Sequence, residues 1–123
     1  MKTPWKQWIV LACLAATVAV AQAQDKKSIV IDGSHWMNAG MLERRAFLVG
    51  VGNMIAAETA YAKRNNREPP AAATLITKGL HDLKLPEIED RITRWYEANP
   101  SRRNVPVMGV LWSELVKPKR SGG

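Results

Sequence analysis

Apolar positions along this chain fall into four helical patterns, and the longest, Met41 to Arg64, has no polar face over much of its length. Between Ala46 and Ala57 the only side chain with a strong hydrogen-bonding group is Asn53. A helix that is apolar all the way round must be covered on every side. The pattern therefore predicts a central, buried helix over about 38–64, with Asn38 as its N-cap. At about 100° per residue, Phe47, Val51, Met54, Ile55, Glu58, Tyr61 and Ala62 share a bulky face. Leu42, Val49, Ala56 and Ala60 lie nearly opposite, a small-residue face that another helix can approach closely, with Gly50 and Gly52 at its flanks.

The remaining helices pack around that one. Asn65-Asn66 ends the long helix and Pro69-Pro70 cannot continue it. Ala71 to Lys78 reads as a short helix with Gly79 as its stop, and a further turn from Leu80 to Leu83 is equally allowed. Pro86 opens the next helix, about 86–98, whose early acids Glu87, Glu89 and Asp90 suit the positive helix end. Its apolar stripe is Ile88, Ile92, Trp95 and Tyr96, flanked by the acid-first pairs Glu87 with Arg91 and Asp90 with Arg94. After Asn99-Pro100 and the basic link Ser101 to Asn104, a last helix runs from about Val105 to Val116, capped by Asn104. Before the long helix, residues 24–37 form a lead-in: Gln24 to Ile31 is a short extended or loose segment, Asp32-Gly33-Ser34 a turn, and His35 to Met37 one helical turn. The fold class expected is an all-α compact bundle of about four helices.

The first 23 residues change the compartment. Two lysines, Lys2 and Lys6, precede an apolar run from Trp8 to Val20 and then Ala21-Gln22-Ala23, the layout of a cleaved secretory signal. The run is too short for a membrane anchor, so no stable membrane insertion is expected after cleavage. The only cysteine, Cys13, lies inside this leader, and lipidation there is a minor alternative. Residues 24–123 then hold no disulfide and no thiol chemistry. About 100 residues suit one domain, here a helical domain over 38–116 followed by a basic, disordered tail over 117–123. The formal charge of the whole chain is +7, of which the leader lysines supply two. A periplasmic or secreted basic domain favours acidic partners in the cell envelope over nucleic acid.

Candidate chemistry is sparse. Glu58 is the one carboxylate near the middle of the bulky face, which makes it a buried polar candidate: either a general acid or, more simply, half of an ion pair with Arg91 or Arg94. Glu114 is a weaker example. His35 and His81 stand far apart in loops, and no zinc spacing, nucleophile elbow, phosphate loop or dinucleotide fingerprint is present, so no catalytic residue, metal or cofactor is expected. Trp36, Trp95 and Trp112 read as core pieces. Trp95 and Tyr96, one loop from Arg102 and Arg103, combine aromatic and arginine side chains as protein-binding hot spots do, and these four residues are the expected partner-binding patch.

The run Phe47-Leu48-Val49-Gly50-Val51-Gly52-Asn53, followed by LPEIEDRITRWYEANP and SRRNVPVMGVLWSELV, resembles the layout of the small exported helical proteins typified by type VI secretion amidase-immunity (Tai-type) proteins. Those share a glycine-containing helix, a later helix ending in an aromatic or leucine pair before Asn-Pro or His-Pro, a basic link and a closing helix. The chain departs from them in lacking a cysteine pair in 24–123 and in carrying Asn53 where an acid is common. The resemblance implies an all-helical periplasmic protein that binds, in the immunity case by plugging a cell-wall amidase, through a loop such as Arg64–Pro70 or Pro100–Asn104. The expected function is thus a non-enzymatic binding or inhibitor-like protein with a protein partner, homodimerisation being a further option. The alternatives are a small envelope enzyme using Glu58 and His81, and a periplasmic stress chaperone.

Overall fold

The computed structural model describes residues 30–120. The leader expected at 1–23, most of the lead-in and residues 121–123 lie outside the described residues. Six helices follow in order: α1 (Gly33–Asn38), α2 (Met41–Arg64), α3 (Ala71–Leu80), α4 (Leu85–Ala98), α5 (Val107–Leu111) and α6 (Lys117–Arg120). A 3-10 turn at Pro100–Arg102 precedes α5, and a π-helical stretch at Trp112–Val116 joins α5 to α6. The all-α expectation holds.

The core lies on α4. Its inner stripe, Ile88, Ile92 and Tyr96, is buried against Val107, Val110, Leu111, Leu115 and Val116 of the C-terminal helices, Ile76 of α3 and Trp36 of α1. Each aliphatic or aromatic side chain so buried contributes roughly 1.5–3 kcal/mol. Local chemistry starts α4 where the sequence suggests: the Glu87 carboxylate accepts from the Lys84 N–H at 2.7 Å, and Pro86 falls in the first turn, where its missing N–H costs nothing. Of the two acid-first pairs, Asp90 with Arg94 forms, at 2.9 Å. Glu87 is instead committed to its cap.

Three boundaries differ from expectation. The helix expected from Asn38 starts at Met41, and the single turn expected at His35 to Met37 is the longer α1, which ends with Asn38. Asp32 caps α1, its Oδ1 accepting from the Ser34 N–H at 2.9 Å and the His35 N–H at 3.2 Å, and the chain extends at Ala39 and Gly40 before α2 begins. α3 runs through Gly79 rather than stopping there, since this glycine is where the C-terminal segment crosses α3. The last helix starts at Val107, not Val105, with Pro106 rather than Asn104 at its cap position. The Val107 N–H donates to the Ile31 carbonyl at 2.9 Å in an isolated antiparallel bridge, which pins the lead-in to the base of α5. Residues Lys117–Arg120, expected as disordered, are helical. The Lys117 N–H bonds back to the Trp112 carbonyl, five residues earlier, and Pro118 has no N–H to place, so the wider π turn carries the chain past the proline.

The largest correction concerns α2. It is long but not buried: only Leu48 and Ala62 are fully enclosed, with Phe47 and Ile55 partly buried against the core. Leu42 is 76% exposed, Val49 47%, Met54 59% and Tyr61 61%. The other helices are short and engaged with α4 or with the C-terminal segment, so they cover one side of α2 and leave open the small-residue face together with Met54 and Tyr61 of the bulky face. Its N-terminal half is tied down by polar contacts. Arg45 Nε donates to Glu89 at 2.7 Å, and Arg44 Nε donates to the Trp36 carbonyl at 2.8 Å while its guanidinium lies over the Trp36 ring. Glu89, not Glu58, is the buried carboxylate.

The two glycine environments make opposite predictions. A Cβ on Gly79 would stand 3.0 Å from the Leu115 carbonyl oxygen and 3.0 Å from the Val116 Cα, backbone that cannot move cheaply, so Gly79→Ala should destabilise by about 1–3 kcal/mol. A Cβ on Gly52 meets nothing within 4 Å, so Gly52→Ala should stabilise by about 0.5–1 kcal/mol. Urea denaturation of the two variants measures both signs.

Candidate functional site

Consecutive residues on a helix point about 100° apart, and at the C-terminal end of α4 this splits Trp95 from Tyr96. Tyr96 turns inward and is fully buried. Its hydroxyl donates to the Val105 carbonyl at 2.7 Å, and its ring lies directly on Gly33, where any Cβ would overlap it. Burial, with the nearby Asp32 charge as a smaller cause, pushes the Tyr96 phenol up to about 12. Tyr96 is therefore a core anchor and not part of a binding patch, a correction to the sequence reading.

Trp95 stays at the surface, half-buried. The Asn99 amide donates to the Trp95 carbonyl at 2.8 Å and closes α4, and the 3-10 turn that follows is held by the Arg102 N–H on the Asn99 carbonyl at 3.0 Å. That turn folds Arg102 back, so its guanidinium lies 5.0 Å from the centre of the Trp95 ring. The Tyr96 ring meets Trp95 edge-on at 5.2 Å. Arg91, Arg94 and Glu114 line a shallow depression of about 320 Å³ beside Trp95. The structure thus brings Trp95 and Arg102 together at a basic corner. Arg103 does not join them: it is half-buried, its backbone packs against Gly33, and its Nε is enclosed without a hydrogen-bond partner.

Glu58 is half-exposed. It lines an open groove of about 820 Å³ between the end of α2 and the following loop, shared with Tyr61, Arg64, Arg67, Glu68 and Pro70, and it does not pair with Arg91 or Arg94. The loop leaves α2 through a left-handed Asn66, at φ 51°, with the Arg67 N–H returning to the Ala62 carbonyl at 2.9 Å, the two-residue helix stop that Asn65-Asn66 suggested. His81 is exposed and bonded to its neighbour Asp82 at 2.9 Å. It does not line the Glu58 groove, so the pair weighed as acid and base is not assembled. Among the described residues no group of three histidine, cysteine or acidic side chains is placed to hold a metal ion, and no helix is long and apolar enough to cross a membrane.

What sequence reasoning missed is the outward face of α2. Its signal is apolarity without periodicity, which a sequence alone places in the interior. The chain matches no family model, no curated protein and no solved structure.

The buried phenol gives a pH prediction. With its ordinary value near 10 in the unfolded chain and about 12 in the folded one, Tyr96 adds stability that is complete below pH 10 and is lost as pH rises toward 12. In a Tyr61→Phe background Tyr96 is the sole tyrosine. Its ultraviolet phenolate band should then appear near pH 12 together with loss of helical circular dichroism, and Tyr96→Phe should remove this alkaline transition.

Proposed function

We propose that the chain is an exported, non-enzymatic binding protein that acts by protein–protein contact in the cell envelope, inhibitor-like in the sense that its resemblance to amidase-immunity proteins implies. The observation that carries this reading is the Trp95–Arg102 pair. An indole and a guanidinium stacked on each other are already ordered before any partner arrives, so little side-chain entropy remains to be lost on binding. Tryptophan and arginine are also the residue types in which binding energy concentrates. Arg91 beside the same depression and the +7 formal charge of the chain, of which the leader lysines supply only two, favour a partner surface rich in carboxylates.

The core side of the corner is fixed by Tyr96 and by Asn99, so substitutions on its outer side test binding without dismantling the fold. Tagged full-length chain, expressed with its leader in a Gram-negative host and recovered from the periplasm, should capture a stoichiometric protein from native envelope extract. Arg102→Glu should cut that capture at least about tenfold while thermal unfolding stays close to the parent, and Trp95→Ala should cut it likewise while lowering the unfolding temperature, because Trp95 also packs on the core. Equal capture by all three proteins, or no stoichiometric partner, contradicts the reading.

A further inference from the structure

Separate from the basic corner, α2 presents a long apolar face that nothing among the described residues covers. Leu42, Val49, Met54 and Tyr61 are each about half exposed or more, whereas most monomers keep such patches small. We propose that this face packs against the same face of a second copy, antiparallel, about a two-fold axis at Asn53.

Charge and symmetry on α2 choose the occupant. Asn53 lies at the middle of the open face and is exposed, and its amide both donates and accepts, so two copies meeting there satisfy each other. Glu43, one of whose carboxylate oxygens accepts from the Gly40 N–H at 2.7 Å while the other is left for a partner, sits about 15 Å before Asn53 along the axis and Arg64 about 16 Å after it, at about 1.5 Å per residue. They lie toward the same side of the face, so the two-fold brings each Glu43 level with the partner's Arg64, in two equivalent pairs. A parallel pair would instead set Lys63 and Arg64 against their own copies. Nothing fills the space over Gly50, so the backbones can come close at the crossing.

The inference is independent of the Trp95–Arg102 reading, and its test leaves that corner untouched. Sedimentation equilibrium of the full chain, processed by the expressing cell, should show a dimer across micromolar to submillimolar loading. Asn53→Lys, which sets like charges together at the axis, should abolish it with the helical spectrum unchanged. Arg64→Glu should weaken it about tenfold, two symmetry-related pairs being lost at once, and Glu43→Gln, whose amide oxygen can still accept from the Gly40 N–H, should weaken it to a similar extent. Spin labels at Leu42→Cys, in a Cys13→Ser background, should report backbones about 33 Å apart. A separation near about 10 Å, as parallel helices would give, overturns the antiparallel arrangement. A monomer throughout, or a dimer indifferent to Asn53→Lys, overturns the proposal. Loss of the dimer with capture by the Trp95 corner retained separates the two claims.

Discussion

The fold depends on one buried phenol. Tyr96 joins three parts of the chain: its ring holds α1 through Gly33, its hydroxyl holds the strand-like entry to α5 through Val105, and its own helix carries the core stripe. A tyrosine can be fully enclosed only if its hydroxyl finds a partner, and the Val105 carbonyl supplies it. The glycine under the ring is needed because no side chain fits there. Once α1 is seated, Trp36 follows into the core and donates from Nε1 to Thr93 Oγ1 at 2.9 Å, which locks the same face of α4 a second time.

That arrangement explains the openness of α2. Its N-terminal half is drawn to α4 by Arg45 on the buried Glu89 and to α1 by Arg44 on Trp36. Beyond Ile55 it has few such ties, and among the described residues no further helix covers its outer side. The result is a rigid core on α4 carrying a long apolar arm at one edge and an ordered tryptophan–arginine corner at the end of α4. Two surfaces with different chemistry, one apolar and one basic, suit two kinds of contact.

Much of this was legible beforehand, for reasons that vary with the element. α4 was readable because periodicity, proline, early acids and a terminal Asn-Pro all agree, and the structure follows each of them. The end of α2 was readable because Asn65-Asn66 can take the left-handed turn. The placement of α2 was not, because apolarity all round reports that a surface needs cover without saying whether the cover is the same chain. Gly79 was misread for a related reason: glycine stops helices, but it also lets backbones touch, and only the crossing with Leu115 and Val116 distinguishes the two. At the candidate site Trp95 and Arg102 were legible from composition and loop length. Tyr96 and Arg103 were not, since adjacent residues on a helix or a tight turn face opposite ways.

The most direct check is hydrogen exchange followed by mass spectrometry on dilute protein, where association is least. If α4 organises the fold, the peptide spanning Ile88 to Tyr96 exchanges last, at the rate of global unfolding, while the peptide from Ile55 to Arg64 exchanges earlier through local opening and gains protection as concentration rises. Slowest exchange in the second half of α2 at the lowest concentration would contradict this and return α2 to the centre of the fold.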